Sequence, residues 1–315
     1  LGDCPGALTS PIVSAVLGLP AAHQKNARCA RRRAAAIRGT IHEDAAGTLT
    51  HTSTTLADSF KTPRYARGTP EIHMSDTYVL VHGAWHTGAA FAAVAQHLRE
   101  LGHHVHCPTL AGNRPADDRS QIGLPEAARS LKDYLTQHAL SQVRLVGHSY
   151  AGMVISQVAA WLPQTLARLV YVNAFVPEPG QALNDLVPPH YVQLFAQLAT
   201  DNNGAVPLPF RIWRESFIND ADLAFAQATH QQLNPHPYKT FTDPIDLTTP
   251  LAAMEVGKSY VNCVLDTALP ASLPWHPRLS ERLGLFRYVE CAGSHEALFT
   301  QPAALAVAIV AAGRD

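Results

Sequence analysis

A serine hydroxyl is a poor nucleophile until a base takes its proton, and that base works best when an acid orients it. This chain carries the three residue types in the order Ser149, Asp266, His295. Ser149 lies in Val143-Arg144-Leu145-Val146-Gly147-His148-Ser149-Tyr150-Ala151-Gly152-Met153, an apolar β-run that turns sharply into a helical segment. Gly147 and Ala151 are the small residues such a turn needs, because strand and helix pass within contact distance; Ala stands at the second glycine of G-x-S-x-G. A serine ahead of a helix is also an ordinary N-cap, so the partners must decide. His295, in Gly293-Ser294-His295-Glu296, follows the last strand-like run, and Asp266 ends the run before it. The strand after the serine ends instead in Asn173, and Glu178 and Asp185 are weaker candidates for the acid. Two backbone N–H groups must also face the oxygen that becomes negative. Tyr150 supplies one, and Ala84, in the His82-Gly83-Ala84-Trp85 turn, supplies the other.

These groups need a scaffold that brings strand ends together. Thr77–His82 reads as a short buried strand, and 87–101 as an amphipathic helix with Phe91, Val94, Leu98 and Leu101 on one stripe. Further strands are predicted over 103–110, 142–147, 166–172, 259–265 and 285–291, with helices near 125–138, 150–162, 276–284 and 301–312. Six strands alternating with helices predict an α/β class, a doubly wound, mainly parallel sheet whose ligands sit at the carboxyl ends of its strands. Residues 178–256 break the alternation; they are rich in Pro, Phe, Gln and Asn and read as a helical cap insertion between core segments 74–177 and 257–315. Trp85 and Tyr150 flank the expected oxyanion site and are candidate substrate contacts, as is Trp213; Phe210, Phe217 and Tyr191 could line the same pocket.

Composition narrows the function. A net charge of −1 gives no basic field for nucleic acid, so no nucleic-acid partner is expected. Five cysteines without a C-x-x-C pair indicate neither a disulfide framework nor a zinc site. His103, His104 and His106 alternate along a strand with no interleaved carboxylate and read as strand-edge histidines, so no metal is expected. Residues 1–73 differ from the rest: nine Lys or Arg against five Asp or Glu make +4, leaving −5 for 74–315. Their apolar run precedes the arginines, the reverse of a secretory signal. Met74-Ser75-Asp76 opens onto a strand as a start codon would, so 1–73 is expected to be a poorly structured extension without chemistry. With no membrane span either, a cytoplasmic location is expected.

Four segments together resemble the α/β-hydrolase superfamily, and most closely its small esterases, grouped with plant methylesterases, hydroxynitrile lyases and bacterial pyrethroid-type hydrolases. They are Val-His-Gly-Ala-Trp-His (81–86), Gly-His-Ser-Tyr-Ala-Gly-Met (147–153), Cys-Val-Leu-Asp-Thr-Ala-Leu-Pro (263–270) and Gly-Ser-His (293–295). The resemblance implies a cofactor-free Ser-His-Asp hydrolase with a lid after the fourth strand. Ala151 departs from the usual glycine, Thr109 from a frequent Asp, and Ala89 and Ala90 from an aromatic pair, which suggests a roomier floor. Hydroxynitrile lyases of this group carry Thr at the place of Gly83 and Lys at the place of Glu296, so both residues favour hydrolysis.

The expected activity is therefore cleavage of small to medium, mostly apolar carboxylic esters through an acyl-enzyme. The alternatives are a non-hydrolytic small-molecule receptor, lyase or cofactor-free dioxygenase on the same fold. Turnover rate separates an enzyme from the receptor. A docking role for the basic 1–73 segment is a third class, tested by deleting it.

Overall fold

The computed structural model describes residues 75–314. The expectations for 1–73 lie outside the described residues. Six strands form one sheet in the order β2-β1-β3-β4-β7-β8. They are β1 Thr77–Val81, β2 His104–His106, β3 Val143–His148, β4 Leu166–Val172, β7 Gly257–Cys263 and β8 Arg287–Cys291; β5 Ala205–Val206 and β6 His236–Pro237 pair separately. All five pairings within the large sheet are parallel.

The apolar runs are continuous rather than alternating because both faces of the sheet are covered. Along β1, Val79 and Val81 pack toward helices Leu124–Gln137 and Ala151–Trp161. Tyr78 and Leu80 point the other way, toward helices Ala92–Glu100 and Pro302–Gly313. Helix Ala151–Trp161 is buried over nearly its whole circumference, which explains why its sequence has no polar face. The doubly wound parallel sheet expected from the sequence is the one observed.

The strand expected over 103–110 spans only His104–His106, and two further local expectations fail for identifiable reasons. The helix expected at 276–284 is only a 3₁₀ turn, Ser280–Leu283. Pro270, Pro274 and Pro277 remove backbone donors ahead of it. Strand β7 ends at Cys263 rather than Leu265, because Asp266 N–H turns back onto the Cys263 carbonyl at 3.2 Å. Val264 and Leu265 are consequently exposed. The histidines in and beside β2 go to separate partners: His103 packs edge-on to Tyr78, and His106 Nδ1 lies 3.0 Å from the Tyr134 hydroxyl.

Between β4 and β7 the chain leaves the sheet. It forms helix Pro189–Asp201, a helical segment over Phe210–Phe217 that ends in a π turn, and helix Leu223–His230. The β5–β6 ladder, only two residues per strand and including Pro237, is too short to leave an alternating pattern. This insertion stands over the carboxyl ends of β3 and β4 and supplies Tyr191, Phe195, Phe217 and Phe241 to a cavity there.

Candidate active site

Strand β3 delivers its last residue, His148, directly to Ser149, which is held at φ +56°. A non-glycine residue in the left-handed region costs about 1–2 kcal/mol, and the surroundings hold it there. Ser149 N–H donates to Val172 at 3.2 Å, and its carbonyl accepts from Gly152 at 3.0 Å and Phe175 at 3.1 Å. The hydroxyl is left at the apex. The glycines keep the crossing tight: a Cβ on Gly147 would lie 3.0 Å from the Ala151 carbonyl oxygen, and one on Gly83 would lie 3.1 Å from the Ser149 Cβ.

The structure brings together the three residues singled out from the sequence. His295 Nε2 lies 2.9 Å from Ser149 Oγ, and His295 Nδ1 lies 2.6 Å from Asp266 Oδ2. The other Asp266 oxygen accepts the Ala268 N–H at 2.7 Å. Burial alone would lower the His295 pKa; the adjacent Asp266 charge and hydrogen bond, with a smaller contribution from Glu296, outweigh it and raise the ring above its ordinary value. The imidazole is also clamped mechanically. Trp275 stacks on it at 5.2 Å and 17°, and Phe217 meets it edge-on at 5.2 Å.

Asn173 belongs to this site, although its sequence position suggested only an acid that is missing. Its amide donates to Asp266 Oδ2, and its carbonyl accepts the Cys263 N–H at 2.7 Å. It therefore ties the end of β4 to the end of β7 and holds the carboxylate in place. Asn also tolerates the φ of +35° required there.

On the opposite side of Ser149, His82 braces the turn after β1. Its Nδ1 faces the Gly83 carbonyl at 2.8 Å and its Nε2 accepts the Leu110 N–H at 3.1 Å, a pattern that assigns a neutral ring protonated on Nδ1. Burial lowers its pKa to about 4, outweighing the Gly83 hydrogen bond that raises it, with a smaller lowering from the neighbouring His86. Trp85 follows at φ +65°, its indole N–H donating to Val206 at 2.8 Å. Ala84 and Tyr150 line one cavity with Ser149 and His295.

That cavity is walled mainly by apolar and aromatic side chains. Trp85 lines it, edge-on to Phe195 and Phe217 at 5.6 Å each. Tyr150, Tyr191 and Phe217 reach it, as do Phe175 and Trp275, which the sequence did not single out. Trp213 does not. It is fully buried behind Phe217, its indole N–H spent on the Ala226 carbonyl at 3.0 Å, and Phe210 packs on His230 instead. The π turn at 213–217 widens the helix, so a 3.6-residue period does not tell which aromatic faces inward.

Ligand atoms of His148, His295 and Glu296 come within 4.8 Å of one another. They are poor metal ligands as arranged, since His295 uses both nitrogens on Ser149 and Asp266, and His148 Nε2 sits 2.9 Å from the His295 carbonyl. Burial, together with the neighbouring His295, lowers His148 to about 3 and keeps it neutral.

A serine at a strained strand-to-helix turn, set at the carboxyl edge of a parallel sheet beside a buried histidine, defines the α/β-hydrolase class. The chain belongs to the alpha/beta hydrolase family, whose sequence profile matches residues 78–308. Among curated proteins it is 42% identical to a carbendazim hydrolyzing esterase of Nocardioides sp. over 113 residues, 35% of this chain and only 47% of that protein. It is 28% identical to a pyrethroid hydrolase of Sphingobium wenxiniae over 73% of this chain and 85% of that one. Among solved structures, an extracellular alpha/beta-hydrolase from a Paenibacillus species is 36% identical, with a TM-score of 0.73, covering 76% of this chain and all of its own. The protein is thus an enzyme of a serine-hydrolase family.

The Paenibacillus relative also corrects the expected cytoplasmic location, since it is extracellular. That expectation rested on the order of apolar and basic residues and on the lack of a membrane span, neither of which the folded domain needs for either compartment. No helix among the described residues is long and apolar enough to cross a membrane.

Proposed function

We propose that Ser149 attacks the carbonyl of a small to medium, mostly apolar carboxylic ester and forms an acyl-enzyme. The single observation that carries this reading is the unbroken contact from Ser149 Oγ through His295 to Asp266, at 2.9 and 2.6 Å. His295 takes the serine proton as the bond to carbon forms, and Asp266 stabilises the resulting imidazolium and fixes the ring's orientation. The Ala84 and Tyr150 N–H groups receive the negative oxygen of the tetrahedral intermediate. His295 then protonates the departing alcohol, activates water against the acyl-serine and returns the proton to Ser149.

The substrate class follows from the cavity. Apart from Ser149 and His295, its walls offer aromatic and aliphatic surface and no charged side chain, so an apolar acyl or alcohol group is favoured over an ionised one. Relatives named as methylesterases, a pyrethroid hydrolase and a carbendazim hydrolyzing esterase support ester-type substrates. Residues 178–256 act in this reading as the cap over the site. The test is intact-mass spectrometry after a fluorophosphonate probe, with p-nitrophenyl ester turnover alongside. One adduct, absent from Ser149→Ala, together with turnover supports the proposal; no adduct on folded wild-type protein overturns it.

A further inference from the structure

Behind the catalytic face lie two buried groups that the proposed mechanism leaves unused. His86 Nδ1 lies 2.6 Å from the carbonyl oxygen of Ala84, and Nε2 lies 3.2 Å from Glu296 Oε2. Both side chains are almost wholly buried, at 3% and 1% exposed. Both His86 nitrogens thus face acceptor oxygens. The Glu296 contact is an ion contact and is not aligned as a hydrogen bond. Glu296 directly follows His295 in the chain, and its own N–H donates to the Phe217 carbonyl at 3.2 Å. One contact therefore bridges the turn that carries the Ala84 N–H and the loop that carries the base.

A buried ion pair is a weak source of stability, because desolvation offsets most of the attraction. Its value here lies in what it touches. We propose that Glu296 and His86 are positioning residues: their contact sets the oxyanion turn against the His295 loop, and the Glu296 carboxylate steadies the His295 cation through space. The proposal rests on the catalytic roles proposed above for Ala84 and His295. The groups facing Glu296 are His86 from the oxyanion turn, His148 from the end of β3, His295 from its own loop and Cys263 from the end of β7. Asp266 faces His295 from its other side, and Asp220 accepts the Ser294 N–H at 3.1 Å. Burial would raise the Glu296 carboxyl, but the adjacent His86, followed by His148 and His295, holds it at about 2. It is therefore a carboxylate whenever His295 takes up a proton.

The experiment measures kcat and KM for a p-nitrophenyl ester from pH 5 to 9 on wild type, Glu296→Gln, Glu296→Asp and His86→Gln. Ser149→Ala with fluorophosphonate labelling runs alongside, so failure of the catalytic assignment itself is seen separately. Glu296→Gln keeps size and polarity but removes the charge. It should lower kcat by about tenfold or more with little change in KM, as misplacement near a reacting group does. Because Glu296 raises His295, its loss should also move the acidic limb of kcat/KM to lower pH. Glu296→Asp should keep the limb in place, and His86→Gln should lower kcat. A wild-type kcat and limb in Glu296→Gln overturns the proposal, and so does a fall in kcat with an unmoved limb, which marks a merely structural role. Should Glu296→Gln not fold, wild-type kcat in both Glu296→Asp and His86→Gln overturns it.

Discussion

Asn173 and His295, 122 positions apart in the chain, donate to the same oxygen of Asp266. The acid is thus oriented from the end of β4 as well as by the base it serves. Replacing Asn173 with Ala removes that donor and leaves the buried Cys263 N–H without its acceptor. An unsatisfied buried group costs about 1–3 kcal/mol. The expected outcome is a similar loss in urea-unfolding stability, together with a kcat reduced about tenfold because Asp266 is free to turn. Unchanged kcat in a destabilised protein would show that Asp266 needs no such holder.

Ser149→Ala is expected to lower ester turnover by a factor on the order of 10⁴ or more while the protein stays folded. Its circular dichroism should match wild type, since alanine occupies the φ +56° position at little more cost than serine. Retained turnover in that folded variant removes Ser149 from the mechanism.

The strand-turn-helix around Ser149 was legible because local rules agree: an apolar run, small residues where backbones cross, and a helix at once. Asp266 and His295 were legible from chain order and strand ends. Asn173 and Trp275 were not. Asn173 acts through a contact across the sheet, and Trp275 stacks on His295 from a proline-rich loop with no period to read. Trp213 and Phe217 were both plausible wall residues, and only the π turn decides which of them faces the cavity.

That phase makes a prediction of its own. Phe217→Ala opens the cavity beside His295 and should shift preference toward bulkier esters, seen as a changed ratio of kcat/KM between short and long acyl chains. Trp213→Phe should leave the ratio alone and lower stability, because its indole N–H and packing are spent inside the insertion. The opposite pattern would return Trp213 to the substrate wall.

Activity and stability should respond to acid for different reasons. His295 must be neutral to take the serine proton, so kcat/KM should fall along a limb centred above 6.5, the ordinary histidine value. A pH–rate profile checks this, and a limb at or below 6.5 contradicts it.

Folding stability obeys the reverse bookkeeping for the other buried histidines. Burial lowers His82 to about 4 and His148 to about 3, each aided by a neighbouring histidine, and His236 is lowered in the same way. A base with a depressed folded pKa is protonated first in the unfolded chain, so stability is full above 6.5 and declines as pH falls toward the folded value. Each such histidine contributes a slope of about 1.4 kcal/mol per pH unit within that window. His295, with a raised pKa, acts oppositely: its contribution is present below 6.5 and is lost as pH rises through the folded value. These three buried, depressed rings against one raised ring predict a net decline between pH 6 and 4, steeper than carboxylates alone would give at that pH. Urea unfolding at pH 7, 6 and 5 measures the slope, and His148→Gln should flatten it if the variant folds. A flat profile from pH 7 to 5 would mean these rings already carry a proton in the folded protein.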